Sequence, residues 1–129
     1  MANKLSIICV TGTREKLQMA AMFASVAAAT GSQVSVFLSM NALPYFVKKN
    51  TEPPPGEGVF GEILQQPGVP PFKQLFQQAA ELGDAALLPC SMALDLMKIT
   101  HADLDPELGP PTGLTRFLGD AEGGQLLTF

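Results

Sequence analysis

Two short runs constrain the fold of this chain more than any other feature: Leu5 to Val10 (LSIICV) and Ala85 to Leu88 (AALL). The first is apolar at every position except Ser6. A strand with one wet face alternates, whereas an unbroken apolar strand is covered on both faces, as in a parallel sheet between helix layers. Each run leads through a short break into a helical pattern. Thr11-Gly12-Thr13 turns the chain, and Thr13 can cap a helix from Arg14 to Thr30 that places Leu17, Ala20, Ala21, Ala24, Ala27 and Ala28 on one face. Met19, Met22, Phe23 and Val26 remain on its other faces, so contact with a further subunit is expected.

Gly31 suits a left-handed helix end, and Gln33 to Leu38 reads as the second strand. Ser39-Met40-Asn41 starts a short helix through Lys49, with Pro44 tolerated in its first turn. Pro71 opens a helix in which Phe72, Leu75, Phe76, Ala79 and Ala80 follow the i, i+3, i+4, i+7, i+8 pattern and Gly83 closes it. Asp84 to Pro89 is the third strand, followed by Cys90 and a helix from Ser91 to Ile99. Thr100 to Leu104 reads as a capped turn, Thr112 as the cap of a last helix from Gly113 to Ala121, and Gln125 to Phe129 as a terminal strand. A further short strand near Ala102 to Leu108 is compatible with the pattern. The alternation predicts a three-layer α/β/α sandwich with right-handed crossovers.

At 129 residues the chain is expected to form one domain spanning residues 1–129. It is interrupted from Thr51 to Pro71 by six prolines and four glycines. Long loops inside a compact domain are usually functional, and the apolar Val59, Phe60, Ile63 and Leu64 favour a lid or subunit contact, with a single turn from Phe60 to Gln66. Charged residues make up only 16% of the chain, below the usual quarter, and an oligomer would hide the apolar excess. The net charge of −4, with no basic cluster beyond Lys48-Lys49, argues against nucleic acid as a partner. The uncharged stretch from Leu17 to Val47 is divided by Gly31, Ser32 and Gln33 and changes period, so direct membrane insertion is not expected. Leu5 to Val10 is too short for the apolar core of a signal peptide. Two cysteines without a targeting segment suggest thiol chemistry in a reducing, cytoplasmic setting.

One histidine, His101, and two cysteines eighty-one positions apart provide no metal-ligand spacing, so neither a metal nor another cofactor is expected. A thioredoxin-like pair is missing, since Ala93 stands where the second cysteine would be. The turn Thr11-Gly12-Thr13-Arg14 could hold an anion on its N–H groups, but its single glycine makes a weak nucleotide signal. His101 reads as a surface or capping residue. Cys9, inside the first strand, reads as a small buried hydrophobe. Cys90 differs by position: it stands at a strand-to-helix junction, where ligands bind in open α/β sheets and unpaired N–H groups favour a thiolate.

The stretch CSMALDLMKI (Cys90 to Ile99) resembles the cysteine motif of the DsrE/DsrF-like sulfur-carrier family, particularly its DsrE2-type branch, in which a cysteine precedes a Met-rich helix carrying an aspartate. TGTREKLQMAAMFASVAAATG (Thr11 to Gly31), VSVFLSMNAL (Val34 to Leu43) and GLTRFLGDAEGGQLLTF (Gly113 to Phe129) resemble the family's first helix, its second strand and turn, and its last helix and strand. The resemblance implies a parallel sheet of about five strands, assembly as a homotrimer or hexamer, and sulfurtransferase-like uptake of sulfane sulfur. By motif match the carrier is Cys90, as a persulfide or thiosulfonate. The donor would be thiosulfate, tetrathionate or a protein persulfide, and the recipient an acceptor sulfur-carrier protein. Such a thiol should be exposed and acidified. Backbone N–H groups of Ser91, Met92 and Ala93 could stabilise its anions, and Met92, Leu94, Met40 and Tyr45 could form a soft apolar wall. Relatives of the DsrE2 type often carry membrane spans, whereas this chain has none, and Lys98 stands where the family more often has glycine. The rival readings are a non-catalytic oligomeric module binding a small anion or a protein, and a redox-sensing thiol protein.

Overall fold

The computed structural model describes residues 3–129. Four parallel strands, β1 (Lys4–Cys9), β2 (Gln33–Leu38), β3 (Ala86–Pro89) and β4 (Gln125–Thr128), form one sheet in the order β3-β2-β1-β4. The strands are interleaved with helices α1 (Arg14–Ala29), α2 (Val59–Ile63), α3 (Phe72–Gly83), α4 (Ser91–Met97) and α5 (Leu114–Ala121), and with 3₁₀ helices at Met40–Phe46 and His101–Asp103. The parallel sheet flanked by helices is as expected. The second helix is a 3₁₀ segment that stops at Phe46, short of Lys49.

Successive side chains of a strand face opposite layers, and the register assigns the faces. Ile7, Val36 and Leu87 lie side by side and are fully buried. On the opposite face Phe37 stacks on Phe117 of α5, with ring centroids 5.0 Å apart. The Ala-rich face of α1 (Ala20, Ala21, Ala24, Ala28) is buried, and its small side chains let α3 approach closely. A Cβ on Gly83 would strike Ala28, so the glycine expected to end α3 also serves this packing. The left-handed turn after α3 falls to Asp84, at φ 56°. Gly31 takes φ 94° after α1, as its position predicts. The opposite face of α1 leaves Met19, Met22, Phe23 and Val26 exposed.

Among the described residues the sheet has four strands, where about five are expected. Residues 102–108 form no strand; Leu104 makes one antiparallel bridge to Val47. The nearest thing to a fifth strand is the segment 109–112, which runs beside β3 through Gly109 N donating to Leu87 O (2.7 Å) and a parallel bridge between Thr112 and Cys90. Pro110 and Pro111 lack N–H groups, which stops the ladder from propagating. Thr112 does not cap α5 either: Gly113 holds the N-cap position, and the Thr112 hydroxyl donates to Pro110 O.

Candidate functional site

The carboxyl ends of β1, β2 and β3 bring the sequence-expected residues to one end of the sheet, in two groups. The first surrounds Cys90. β3 ends at Pro89 and α4 begins at Ser91, which leaves Cys90 as N-cap residue at φ −68°, ψ 121°. An anion at this position can accept from the N–H groups of the second and third helical residues, here Met92 and Ala93, although the Cys90 thiol makes no capping hydrogen bond. Cys90 N–H donates to Leu38 O (2.9 Å), and Cys90 O accepts from Leu94 N–H (3.1 Å). The expected set of three stabilising N–H groups is reduced, because that of Ser91 is already donated to Thr112 O (3.0 Å). Cys90 is also not the exposed thiol expected: the 109–112 segment and α4 leave it only 6% accessible, while Met92 beside it is 52% accessible.

The second group lies over β1. Thr13 and Tyr45 line a cleft of about 360 Å³ with Thr11, Gly12, Asn41, Pro44 and Pro55, and Cys90 is not among its walls. Gly12 is required there, since a Cβ would collide with the Asn41 carbonyl. Met40 stands at the end of β2, between the strands that carry the two groups. It is exposed and holds φ 49°, a left-handed conformation that a long side chain adopts only under local constraint.

The Pro/Gly-rich insert is fastened over the start of α1, and no hydrogen bond among the described residues ties it to residues 90–93. Arg14 N–H donates to Pro55 O (2.9 Å), and its guanidinium to Pro54 O and Gly61 O (2.8 Å each). The Thr13 hydroxyl, at the N-cap of α1, donates to Glu57 Oε1 (2.8 Å) instead of capping the helix, and Lys16 Nζ lies 3.3 Å from the same oxygen. The Glu15 carboxylate accepts from the N–H groups of Glu57 (2.8 Å) and Gly58 (2.9 Å). The Glu57 N–H, joined by those of Gly58 and Gly61, holds the Glu15 carboxyl below its ordinary range against the opposing effect of desolvation. The N–H groups suggested to hold an anion in the Thr11–Arg14 turn are partly taken, that of Thr11 by Phe129 O and that of Arg14 by Pro55 O, while Glu57 lies against the Thr13 hydroxyl and Lys16.

Cys9 behaves as a buried hydrophobe. It is 1% accessible, and burial pushes its thiol up to about 12. Its register partner is Leu38, whose partner is Pro89. Two strand spacings therefore separate Cys9 from Pro89 by about 10 Å, beyond the roughly 7 Å that a disulfide spans. His101 is engaged elsewhere, its Nε2 lying 2.9 Å from Leu108 O. Among the described residues no three or more His, Cys, Asp or Glu side chains converge as a metal site, and no helix is long and apolar enough to cross a membrane.

Residues 46–129, including Cys90 and the helix after it, match the DsrE/DsrF/DrsH-like family. The chain belongs to that family. Two of the four resembling stretches, Cys90 to Ile99 and Gly113 to Phe129, lie within the match; Thr11 to Gly31 and Val34 to Leu43 precede it. Among solved structures, the YchN protein of E. coli superposes with a TM-score of 0.69 at 14% identity, covering 100% of both chains. MTH1491 of Methanobacterium thermoautotrophicum, described as a protein of unknown function, superposes with a TM-score of 0.70 at 8% identity, covering 98% of this chain and 99% of that one. These likenesses are of fold. No curated protein matches the chain.

Sequence reading missed two features of this end of the molecule. Thr112 was legible only as the lone backbone donor between two prolines and a glycine. The strap network was hinted at by charges on both sides, Arg14-Glu15-Lys16 and Glu57, but nothing local pairs residues more than forty positions apart.

Proposed function

We propose that this protein is a sulfur carrier in which Cys90 takes up sulfane sulfur and hands it to a partner. The observation that carries the reading is the placement of Cys90, free and at the N-cap of α4 at the carboxyl end of β3, within the family-matched part of the chain. In loading from tetrathionate, the Cys90 thiolate attacks an inner sulfur, a new S–S bond forms, the old one breaks and thiosulfate leaves with the electron pair. In unloading from a persulfide, an acceptor thiolate attacks the outer sulfur and the Cys90 thiolate leaves. The N–H groups of Met92 and Ala93 are those that an N-cap anion recruits, and the low accessibility of Cys90 shields the bound sulfur from water. Donors enter past the exposed Met92 and Met40 side chains.

The carrier works as a homotrimer or hexamer in the reducing cytoplasm. The exposed Met19, Met22, Phe23 and Val26 stripe of α1 supports assembly, and two free thiols suit that compartment. The decisive test is intact mass after incubating the reduced protein with tetrathionate, thiosulfate or polysulfide. A DTT-reversible sulfur adduct is expected in the parent chain and in Cys9→Ala, and none in Cys90→Ser. No adduct from any donor sinks the reading, and light scattering of a monomer at micromolar concentration sinks the assembly. The burial of Cys90 favours a second reading, a non-covalent anion- or protein-binding module, which predicts that null result. A redox sensor instead gains oxygen with peroxide and little donor-derived sulfur.

A further inference from the structure

The structure assigns Thr112 as the positioning residue for Cys90; its importance for sulfur transfer rests on the carrier reading above, while its grip on the cysteine stands on geometry alone. The carbonyl of Pro89 and the N–H of Ser91 belong to the two peptide units that flank Cys90. Thr112 N–H donates to the first (2.9 Å) and Thr112 O accepts from the second (3.0 Å). Peptide units are planar, so holding both planes holds φ and ψ of the residue between them. That sets the Cα–Cβ direction and the staggered positions open to Sγ. From the other side, Leu38 O accepts the Cys90 N–H at 2.9 Å.

Nothing else in the connection can take this place. Pro110 and Pro111 have no N–H, Gly109 donates its own to Leu87 O, and Gly113 is the N-cap of α5. The side chain of Thr112 explains why the grip holds. It is 8% accessible, and its hydroxyl donates to Pro110 O at 2.9 Å, closing the turn that presents the Thr112 backbone to β3. Valine fills the same space but leaves the Pro110 carbonyl without that donor, whereas serine retains the hydroxyl.

The test compares the parent chain with Thr112→Val, Thr112→Ser and Thr112→Ala by two rates followed by intact mass: iodoacetamide alkylation between pH 6 and 9, and loading from tetrathionate. Cys90→Ser provides the blank, and Cys9, buried with its thiol pushed up to about 12, stays silent in this window. Thr112→Val is expected to displace the alkylation pH profile and to slow loading about threefold or more, the scale of one neutral hydrogen bond. Thr112→Ser should restore both. Thr112→Ala, which adds no bulk, must show the valine behaviour and serves if valine does not fold. A parent-like pH profile in either folded apolar variant overturns the assignment, even with a lowered Tm, and so does serine behaving as valine. If the parent chain loads no sulfur, the carrier reading falls alone, because the alkylation profiles still decide whether Thr112 positions the thiol.

Discussion

Cys9 is the last residue of β1 and Cys90 the first after β3, so a single residue of register and two strand spacings divide two otherwise similar positions. Cys9 still belongs to the ladder. Its side chain is sealed in the core, and the chain beyond it is covered: Val10 and Thr11 N–H donate to Phe129 O, and the insert straps Thr13 to Lys16. Cys90 stands at the ladder's end, where its pairing with Leu38 and Thr112 gives way to α4. Its backbone is gripped from both sides, its side chain stands where a helix begins, and its neighbour Met92 is exposed. Burial fractions of 1% and 6% hardly separate the two thiols. What separates them is the backbone around each: a closed ladder provides no polar group to a thiolate, whereas a helix start does.

The largest expected difference between the two appears in alkali. The unfolded chain ionises Cys9 near its ordinary value of 9.0, and the folded chain only near about 12. Above pH 9 the unfolded state therefore binds fewer protons, and stability falls with pH by up to about 1.4 kcal/mol per unit until the folded thiol ionises. Urea unfolding across pH 8–11 should show this slope in the parent chain and a shallower one in Cys9→Ala; identical slopes break the contrast. At neutral pH, serine should have opposite consequences at the two sites. Cys9→Ser buries an unpartnered hydroxyl and should lower stability by about 2 kcal/mol, whereas Cys90→Ser installs a favoured N-cap residue and should be neutral or gain up to about 1 kcal/mol. Equal losses in urea melts would show that Cys90 belongs to the core as much as Cys9 does.

Smaller effects sharpen the contrast between the ends of β1 and β3. Beyond Cys90, α4 exits through Lys98 at φ 58°, a left-handed conformation where glycine carries no Cβ penalty. Lys98→Gly is expected to raise stability by about 1 kcal/mol and leave sulfur loading unchanged; a loss would show that the lysine side chain, not the backbone, matters at that exit. Beyond Cys9 the strap should loosen in acid. Because strap N–H groups lower the Glu15 carboxyl, its contribution is present above the ordinary glutamate range and is lost as pH falls through the lowered value. Protection of the Glu57 and Gly58 amides, measured against their intrinsic exchange rates, should fall on acidification in the parent chain and be lost already at pH 7 in Glu15→Gln. Slow exchange in that variant would mean that Arg14 and Thr13 hold the strap without the carboxylate.

Much of the site was legible because its signals are local. A proline ending an apolar run, a cysteine and an immediate helical period place Cys90 at a junction whatever the rest of the chain does. The same reasoning misjudged its surroundings. An exposed thiol, three free N–H groups and a Thr112 helix cap are all expected; instead Cys90 is buried, Thr112 O takes the Ser91 N–H, and the Thr112 hydroxyl turns to Pro110 O while Gly113 caps α5. The apolar residues of the insert predict a lid or subunit contact; Val59, Phe60 and Ile63 are exposed, and what the sequence does not foretell is that polar bonds fasten the insert to the first turn of α1.

By itself the sequence determined the strand and helix alternation, the parallel character of the sheet, the Ala-rich face of α1 and the junction at Cys90. Each follows from periodicity, chain breakers and side-chain size within a few residues. Only the tertiary structure decided the order β3-β2-β1-β4, the lone bridge where a fifth strand was expected, the occupation of the α1 start by Glu57, and which N–H groups near Cys90 remain free. Those depend on hydrogen bonds between residues tens of positions apart. A backbone donor is the same in every residue but proline, so no side-chain pattern records which distant carbonyl will take it.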